Sequence, residues 1–174
     1  MKHAHYLAKA YELAAKSRDA SNQNGALIVS NRGRINAIGW NRFPYGVNFT
    51  TERAESRPQK YRYFEHAERD AIYHAAGRGC RLVNRTMYCP WAACCDCARA
   101  IVGTRLKRLV VHKQRMELTP ERWQEDVQAA WEMLSEAGVE LVQYDGPIDW
   151  DVVTVNGRLW SPKTAEFVSE PCMA

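Results

Sequence analysis

The stretch TMYCPWAACCDCARAIVGTRLKRLVVH, residues 86–112, contains a short apolar run, a segment with helical spacing that ends at Gly103, and a second apolar run. A strand, a helix and a strand in this order are typical of parallel strands joined by a right-handed crossover. Another helix and another apolar run, residues 139–143, follow them. This alternation predicts an α/β protein whose sheet is parallel in its second half.

The helix before that last strand has the clearest pattern in the chain. We expect Thr119 to cap it, Pro120 to occupy its first turn and Gly138 to end it. Its predicted buried face consists of apolar residues at helical spacing: Trp123, Val127, Ala130, Trp131 and Leu134.

The beginning of the chain has a different pattern. Residues 3–18 have the spacing of one apolar helical stripe. Two short apolar runs, residues 26–30 and 34–39, lie on either side of a turn that contains Gly33, which predicts an antiparallel hairpin. The sheet is therefore expected to be mixed, with helices on both of its faces.

The last part of the chain, residues 144–174, differs in kind. Asn156-Gly157 lies between two short apolar runs, which is the strongest short-range signal for a β-hairpin. Residues 139–174 contain six acidic and two basic side chains. We expect one main domain over residues 1–143, and a C-terminal hairpin and tail that pack on it or contact another subunit.

Composition excludes several classes of protein. The chain has 174 residues, of which 46% are hydrophobic and 25% charged, so it is neither disordered nor fibrous. A formal net charge of +4 suits a phosphate-bearing ligand but does not indicate a DNA-binding protein. Without an apolar run of membrane-spanning length or a visible signal peptide, we expect a cytoplasmic protein with no membrane partner.

The six cysteines are the unusual feature of the composition. Four of them lie within nine residues, at positions 89, 94, 95 and 97. A disulfide framework would spread its cysteines along the chain, so this cluster indicates metal or redox chemistry in a reducing compartment. Cys80, Cys89 and Cys172 are predicted to be packed or exposed thiols. Cys95 is also expected to be a packed thiol, with a ligand role in a different register of the motif as the alternative.

Two short motifs at predicted helix starts contain the chemistry. His66 and Glu68 open a helix predicted over residues 65–76, and Cys94 and Cys97 open the helix within the quoted stretch. One imidazole and two thiolates suit tetrahedral Zn²⁺, with the fourth position open. His-x-Glu followed by a Cys-x-x-Cys pair is the pattern of zinc deaminases, in which the Glu transfers protons.

These motifs resemble the cytidine/deoxycytidylate deaminase family, including its bacterial and phage members. Residues 65–72 are similar to the first zinc motif of the family, and residues 86–88 together with 94–102 to the second. Gly39-Trp40-Asn41 is similar to the segment in which the family places an Asn near the sugar or phosphate. The sequence has Ala93 and Asp70 where the family usually has Pro and Asn.

The resemblance implies a three-layer αβα cytidine deaminase-like fold with a mixed five-stranded sheet, its catalytic domain being residues 1–143. It implies that His66, Cys94 and Cys97 hold Zn²⁺ and that Glu68 is the catalytic acid and base. Family members are commonly oligomers, so a homo-oligomer is also expected.

Further contacts with the substrate are expected around this centre. The resemblance implies that the Ala67 N–H holds the carbonyl of the base and that Asn41 contacts the sugar. Trp91 and Tyr88 are candidates to flank the base, since aromatic faces stack on nucleobases. Core packing is an equal alternative for Tyr88.

A basic segment suggests where a phosphate binds. Residues 42–85 contain nine Arg and Lys against five Asp and Glu. Arg42, with Arg53, Arg57 and Lys60, is a candidate for phosphate contact.

The predicted function is zinc-dependent hydrolytic deamination of a free cytosine nucleotide, with release of ammonia. The nucleotide is expected to be dCMP-like, and dCTP or a modified cytosine remain open. One alternative is deamination of a base within tRNA or single-stranded DNA, which a long basic groove would favour and the acidic tail does not. A second alternative is a catalytically silent zinc- or nucleotide-binding protein.

Overall fold

The computed structural model describes residues 2–168, so Cys172 and the end of the predicted tail lie outside the described residues. Five strands form the central sheet: β1 (Gly25–Val29), β2 (Ile35–Trp40), β3 (Thr86–Tyr88), β4 (Arg108–His112) and β5 (Glu140–Tyr144). Seven helices are present in the described part of the chain: α1 (Lys2–Ala14), α2 (Thr51–Glu55), α3 (Gln59–Tyr63), α4 (Ala67–Gly77), α5 (Cys95–Gly103), α6 (Lys113–Met116) and α7 (Glu121–Glu136). A second, three-stranded sheet contains β6 (Val153–Val155), β7 (Arg158–Ser161) and β8 (Glu166–Phe167).

The central sheet is mixed, as predicted. Its strand order is β2-β1-β3-β4-β5, and β1 pairs antiparallel with both β2 and β3. The pairs β3–β4 and β4–β5 are parallel, because α5 and α7 cross over between their strands. The change from antiparallel to parallel pairing occurs at β3, whose C-terminal end leads into the cysteine motif.

Helices cover both faces of this sheet. Met87 and Leu109 pack on one face with residues of α4, α5 and α7. Their neighbours in sequence, Tyr88 and Val110, point to the opposite face and pack against α1. The expected three-layer α/β architecture is therefore confirmed.

The C-terminal hairpin is present and packs on the main sheet's α1 face. β6 and β7 pair antiparallel around the Asn156-Gly157 turn. Trp160 is completely buried, together with Val155 and Ile148, in the cluster that contains α1. A domain boundary after residue 143 stays a prediction. No helix within residues 2–168 combines the length and the apolar character that crossing a bilayer requires.

Three local expectations differ from the structure. The first helix ends at Ala14 rather than near residue 18. The long loop contains the two short helices α2 and α3. Thr119 does not cap α7, so that prediction is wrong: its hydroxyl donates to the Met116 carbonyl at 2.6 Å, and Pro120 occupies the N-cap position.

A close approach at Gly39 positions helix α4 on the sheet. A Cβ atom at this residue of β2 would lie 2.3 Å from the Ala71 backbone nitrogen and 2.6 Å from the Ala67 carbonyl oxygen. Both atoms are helix backbone and cannot yield as a flexible side chain would. Only glycine lets α4 lie this close to the strand.

We expect Gly39→Ala to lower the free energy of unfolding by at least about 3 kcal/mol, because the added methyl group overpacks a backbone contact. Denaturant midpoints would measure the loss. Gly77→Ala at the other end of α4 is the matched control, since nothing lies within 4 Å of its Cβ position. Equal stability of both variants would contradict the role given to Gly39.

A buried histidine joins α1, β4 and the start of the C-terminal segment. The His112 ring is completely buried. Its Nδ1 accepts a hydrogen bond from the Tyr11 hydroxyl at 2.7 Å, and its Nε2–H donates to the Gly146 carbonyl at 3.0 Å. This arrangement requires a neutral ring, and burial lowers the pKa of His112 to about 4.

The folded protein should therefore lose stability as the pH falls. Between the ordinary histidine pKa of about 6.5 and the folded value, His112 is protonated in the unfolded chain but neutral in the folded chain. This difference lowers the free energy of unfolding by up to about 3 kcal/mol. Denaturation at pH 7.5 and pH 5 would measure the slope. His112→Gln should flatten it, whereas replacement of the exposed His5 by Gln should not. An unchanged slope in His112→Gln would refute the assignment.

Candidate active site

Two helix N-termini meet at the predicted metal cluster. His66 is the N-cap residue of α4, Cys94 is the N-cap residue of α5, and Cys97 lies in the first turn of α5. The His66 Nδ1 atom lies 3.4 Å from the Cys94 Sγ and 3.6 Å from the Cys97 Sγ. The structure therefore brings together all three residues that the sequence predicted as ligands.

Arg69 links the two helix ends. Its Nε donates to Glu65 Oε1 at 2.6 Å, just before α4, and its Nη1 lies 3.1 Å from Asp96 Oδ2 at the start of α5. The Glu65 carboxylate also accepts the His66 N–H at 2.8 Å. These contacts fix the distance between the two motifs.

The three side chains fit Zn²⁺. With Zn–N of about 2.05 Å, Zn–S of about 2.3 Å and tetrahedral angles, the nitrogen and sulfur atoms would be about 3.6 Å apart. The observed separations match this value. The hydrogen bond between the two thiol groups lowers the pKa of Cys94 to about 4 and raises the pKa of Cys97, so the pair holds one thiolate, the form that a metal binds, and one thiol that must lose its proton when a metal binds.

Glu68 lies beside the cluster in the first turn of α4. Its side chain is almost completely buried, and among residues 2–168 its Oε2 has no hydrogen-bond partner. Burial raises the pKa of Glu68 to about 7, despite the opposing charge of His66. An unpartnered carboxyl group that titrates near neutral pH is suited to accept and deliver protons.

Asn41 lies at the end of β2 and is held on both sides. Its Oδ1 accepts the Ala67 N–H at 3.0 Å, and its Nδ2 donates to the Asn22 carbonyl at 3.0 Å. The predicted bond from Ala67 to the base would therefore share or replace the bond to Asn41. That contact stays a prediction.

Trp91 lies in the loop before the cysteine ligands. Its carbonyl accepts Asn24 Nδ2 at 2.7 Å, and its indole N–H donates to the Thr119 hydroxyl at 2.9 Å. The Arg115 guanidinium lies 4.5 Å from its ring centroid. These contacts fix the ring against the cavity.

A cavity of about 100 Å³ opens at this centre. Five segments line it: the loop after α1, the end of β2, helix α3, the two ligand motifs with the loop before the cysteines, and helix α7. The lining residues are Asp19, Ser21, Asn22, Asn24, Asn41, Arg57, Lys60, Tyr61, Phe64, His66, Glu68, Trp91, Ala92, Ala93, Cys94, Arg122, Trp123, Asp126 and Val127.

Two residues proposed for substrate contact lie elsewhere. Tyr88 points to the α1 face, where its ring packs on Tyr6 at 4.8 Å between centroids. Arg42 does not line the cavity, because its Nε pairs with Asp70 Oδ2 at 2.9 Å. Asp70, the departure from the family pattern, thus gains a cationic partner in this chain.

The other cysteines are separate from the cluster. The Cys95 N–H donates to Asp126 Oδ2 at 3.0 Å, so a carboxylate of α7 satisfies the N-terminus of α5. The Cys89 thiol is buried and accepts Asn24 Nδ2 at 3.2 Å. Neither belongs to the group of side chains that can share a metal ion in the described residues.

Sequence reasoning missed the contribution of α7 to the cavity. Trp123 and Val127 have the apolar spacing of a buried helix face and were predicted to lie in the core. They line the cavity instead, with Arg122 and Asp126 beside them. Their four-residue spacing shows that they share a helix face but not what that face meets.

The fold and the site together define a metal-dependent hydrolase, with a His/Cys/Cys centre and a buried carboxyl group in one cavity. The chain belongs to the cytidine and deoxycytidylate deaminase family: the model of the "Cytidine and deoxycytidylate deaminase zinc-binding region" matches residues 1–113. The expected family, enzyme class and zinc cofactor are thereby confirmed.

Relatives and a solved structure agree with this assignment. The chain is 33% identical over 127 residues to "Uncharacterized deaminase in luxG 3'region" of Aliivibrio fischeri, covering 72% of this chain and 81% of that protein. It is 31% identical over 120 residues to a "Probable deoxycytidylate deaminase" of Caenorhabditis elegans, covering 67% of this chain and only 60% of that protein. The dCMP deaminase of cyanophage S-TIM5, solved with dCMP and dUMP, shares the fold with a TM-score of 0.65 at 23% identity, over 80% of this chain and 94% of that one.

The ligand set can be tested by metal analysis. We expect Cys94→Ala to lose its zinc, because it removes a thiolate at the centre, and Cys95→Ala to retain one zinc ion per chain. Elemental analysis after dialysis would measure both. Zinc loss from Cys95→Ala with retention in Cys94→Ala would show that the ligands are assigned in the wrong register.

Proposed function

We propose that this protein hydrolyses the 4-amino group of a free cytosine nucleotide of the dCMP type, giving the uracil nucleotide and ammonia. The observation that supports this most directly is the buried, unpartnered Glu68 carboxyl beside the His66, Cys94 and Cys97 cluster. The C. elegans relative is named a probable deoxycytidylate deaminase, and the phage enzyme of the same fold was solved with dCMP and dUMP.

Each residue of the site has a separate role in the proposed reaction. Zinc, when bound, would lower the pKa of a water molecule in the cavity. Glu68 takes a proton from that water, whose oxygen adds to C4 of the ring, and passes the proton to N3. Glu68 then takes the second proton from the hydroxyl on C4 and gives it to the departing amine as the C4–N bond breaks, which leaves the C4 carbonyl of the product and ammonia. Asn41 and Trp91, which both line the cavity, are the candidates to hold the sugar and the base.

Cations at the cavity mouth support a phosphate on the substrate. Lys60, although it lines the cavity, is paired with Asp19 at 2.5 Å. Arg57, just before α3, and Arg122, in α7, also line the cavity, and within residues 2–168 neither forms an ion pair. These two guanidinium groups are our candidates for the phosphate, since planar donors suit its oxygens.

One observation favours a second candidate function. Tyr61 and Trp123 form an edge-to-face pair at 5.9 Å across the cavity mouth, and Arg57 lies 5.9 Å from the Tyr61 ring centroid. Aromatic rings beside arginines also suit bases of a single-stranded nucleic acid. A base within a polynucleotide is therefore the alternative substrate to test.

We also propose cytoplasmic residence and a homo-oligomer. The unpaired state of the described cysteines supports a reducing compartment. The homo-oligomer is supported by the family resemblance alone. Trp160 is buried within the chain and Trp123 lines the cavity, so neither is available to form an interface between subunits.

Turnover on a panel of substrates tests the proposal. The zinc-loaded protein should release ammonia from one of deoxycytidine, dCMP, dCTP or their 5-substituted forms, with dCMP preferred. Glu68→Gln should lower kcat by about 10²–10⁴-fold, because it removes the proton-transferring group, and should retain zinc. Turnover of a cytosine-containing oligonucleotide without turnover of any free nucleotide would overturn the first candidate in favour of the second.

A further inference from the structure

One wall of the cavity is a short loop with few bonds of its own. In this loop, residues 19–24, Asp19, Ser21, Asn22 and Asn24 all line the cavity. Within the loop, Asp19 Oδ1 accepts the Ser21 N–H at 2.7 Å and the Asn22 N–H at 3.1 Å. These bonds shape the turn, but they do not anchor it to the rest of the protein.

The C-terminal hairpin supplies much of that anchorage. The Gly157 N–H donates to the Ser21 carbonyl at 2.8 Å. The Gln23 N–H donates to the Thr154 carbonyl at 2.9 Å, and the Thr154 N–H donates back to Gln23 Oε1 at 2.9 Å. The Asn156 N–H donates to Asn22 Oδ1 at 3.0 Å. Four hydrogen bonds thus join three hairpin residues to three consecutive loop residues.

The hairpin turn also contacts the opposite wall. Asn156 and Gly157 have positive φ angles of 52° and 78°, as a tight hairpin turn requires, and this directs their N–H groups at the loop. The Asn156 Nδ2 donates to the Leu118 carbonyl at 3.0 Å, just before α7. One turn therefore bonds to the 19–24 loop and to the segment that leads into the α7 wall.

The contacts continue to the metal side of the cavity. Asn22 Oδ1 also accepts Arg115 Nη2 at 2.9 Å. Arg115 is almost completely buried, and its guanidinium lies against the Trp91 ring. The Asn22 carbonyl accepts Asn41 Nδ2, and Asn41 in turn bonds the Ala67 N–H. A displacement of the loop at Asn22 would thus shift groups that face the substrate.

We propose that the hairpin turn at Asn156-Gly157 positions the 19–24 loop for nucleotide binding, with Gln23 and Asn156 as positioning residues. Neither side chain lines the cavity. The turn also lies outside residues 1–113, the part of the chain that the family model matches. The hairpin acts on substrate affinity and not on the chemical step, since it does not touch Glu68 or the three ligands. This role rests on the proposed function.

Two variants separate positioning from catalysis. Gln23→Ala removes two bonds: its Oε1 no longer accepts the Thr154 N–H, and its Nε2 no longer donates to the Ser17 carbonyl at 3.0 Å. Asn156→Gly keeps the positive-φ turn but removes the bond to Leu118. We expect each to raise the KM for dCMP and the Kd for dUMP by about three- to tenfold, the effect of one or two lost hydrogen bonds. kcat should stay within about twofold, and zinc content should not change. Amides of residues 19–24 should exchange hydrogen faster in both variants.

Lys163→Ala, in the turn between β7 and β8, is the matched control, because among residues 2–168 its Nζ pairs with the exposed Asp149 alone, at 3.3 Å. It should leave KM, Kd and amide exchange unchanged. An unchanged dUMP Kd in both test variants would overturn the positioning role, as would a joint fall of kcat and zinc content with KM unchanged.

The two proposals fail differently. A wild-type protein that binds dUMP but turns over no nucleotide would contradict the proposed function, while the Kd measurements would still decide the role of the hairpin. A wild-type protein that binds neither dCMP nor dUMP would overturn both.

Discussion

The site depends on the packing of the α4 N-terminus against strand β2, which only a glycine at position 39 permits. This contact places His66 and Glu68 at one end of the central sheet, where β3 leads into the Cys94 and Cys97 motif. Two helix N-termini then face the same point, and their dipoles favour the thiolates that a metal needs. Backbone packing thus assembles the metal centre from motifs 28 residues apart.

The same region contains polar groups whose burial weakens the fold. Among residues 2–168, Glu68 has a buried oxygen without a hydrogen-bond partner, and Arg115 has a partner on only one of its two terminal nitrogens. Each such group costs free energy that an apolar side chain would not. Both groups lie at or next to the cavity, so we interpret their cost in stability as the consequence of a function. Glu68 carries protons, and Arg115 holds Asn22 and Trp91. By contrast, His112, outside the cavity, has both ring nitrogens satisfied.

Local sequence patterns predicted the residues of the reactive centre better than they predicted the residues around it. The ligands and Glu68 were predicted from two short motifs at helix starts. Within such a motif, the distance along the chain fixes the distance between the side chains. Tyr88 was left between two alternatives because strand alternation shows that neighbours face opposite ways but not which way faces the cavity. Arg42 was a plausible phosphate contact until Asp70, on another element, paired with it. The Thr119 cap was wrong because its hydroxyl bonds Met116 and Trp91 instead.

Local patterns in the sequence correctly predict the succession of strands and helices, the mixed sheet and the family, and they name four residues for the reactive centre. Each of these follows from periodicity or from a motif within a few residues. The side chains that enclose the cavity are known only from the folded chain, since its walls come from the 19–24 loop, α3 and α7, which are distant in sequence. Such walls form only when the chain closes on itself, and no local pattern encodes which distant segments then meet.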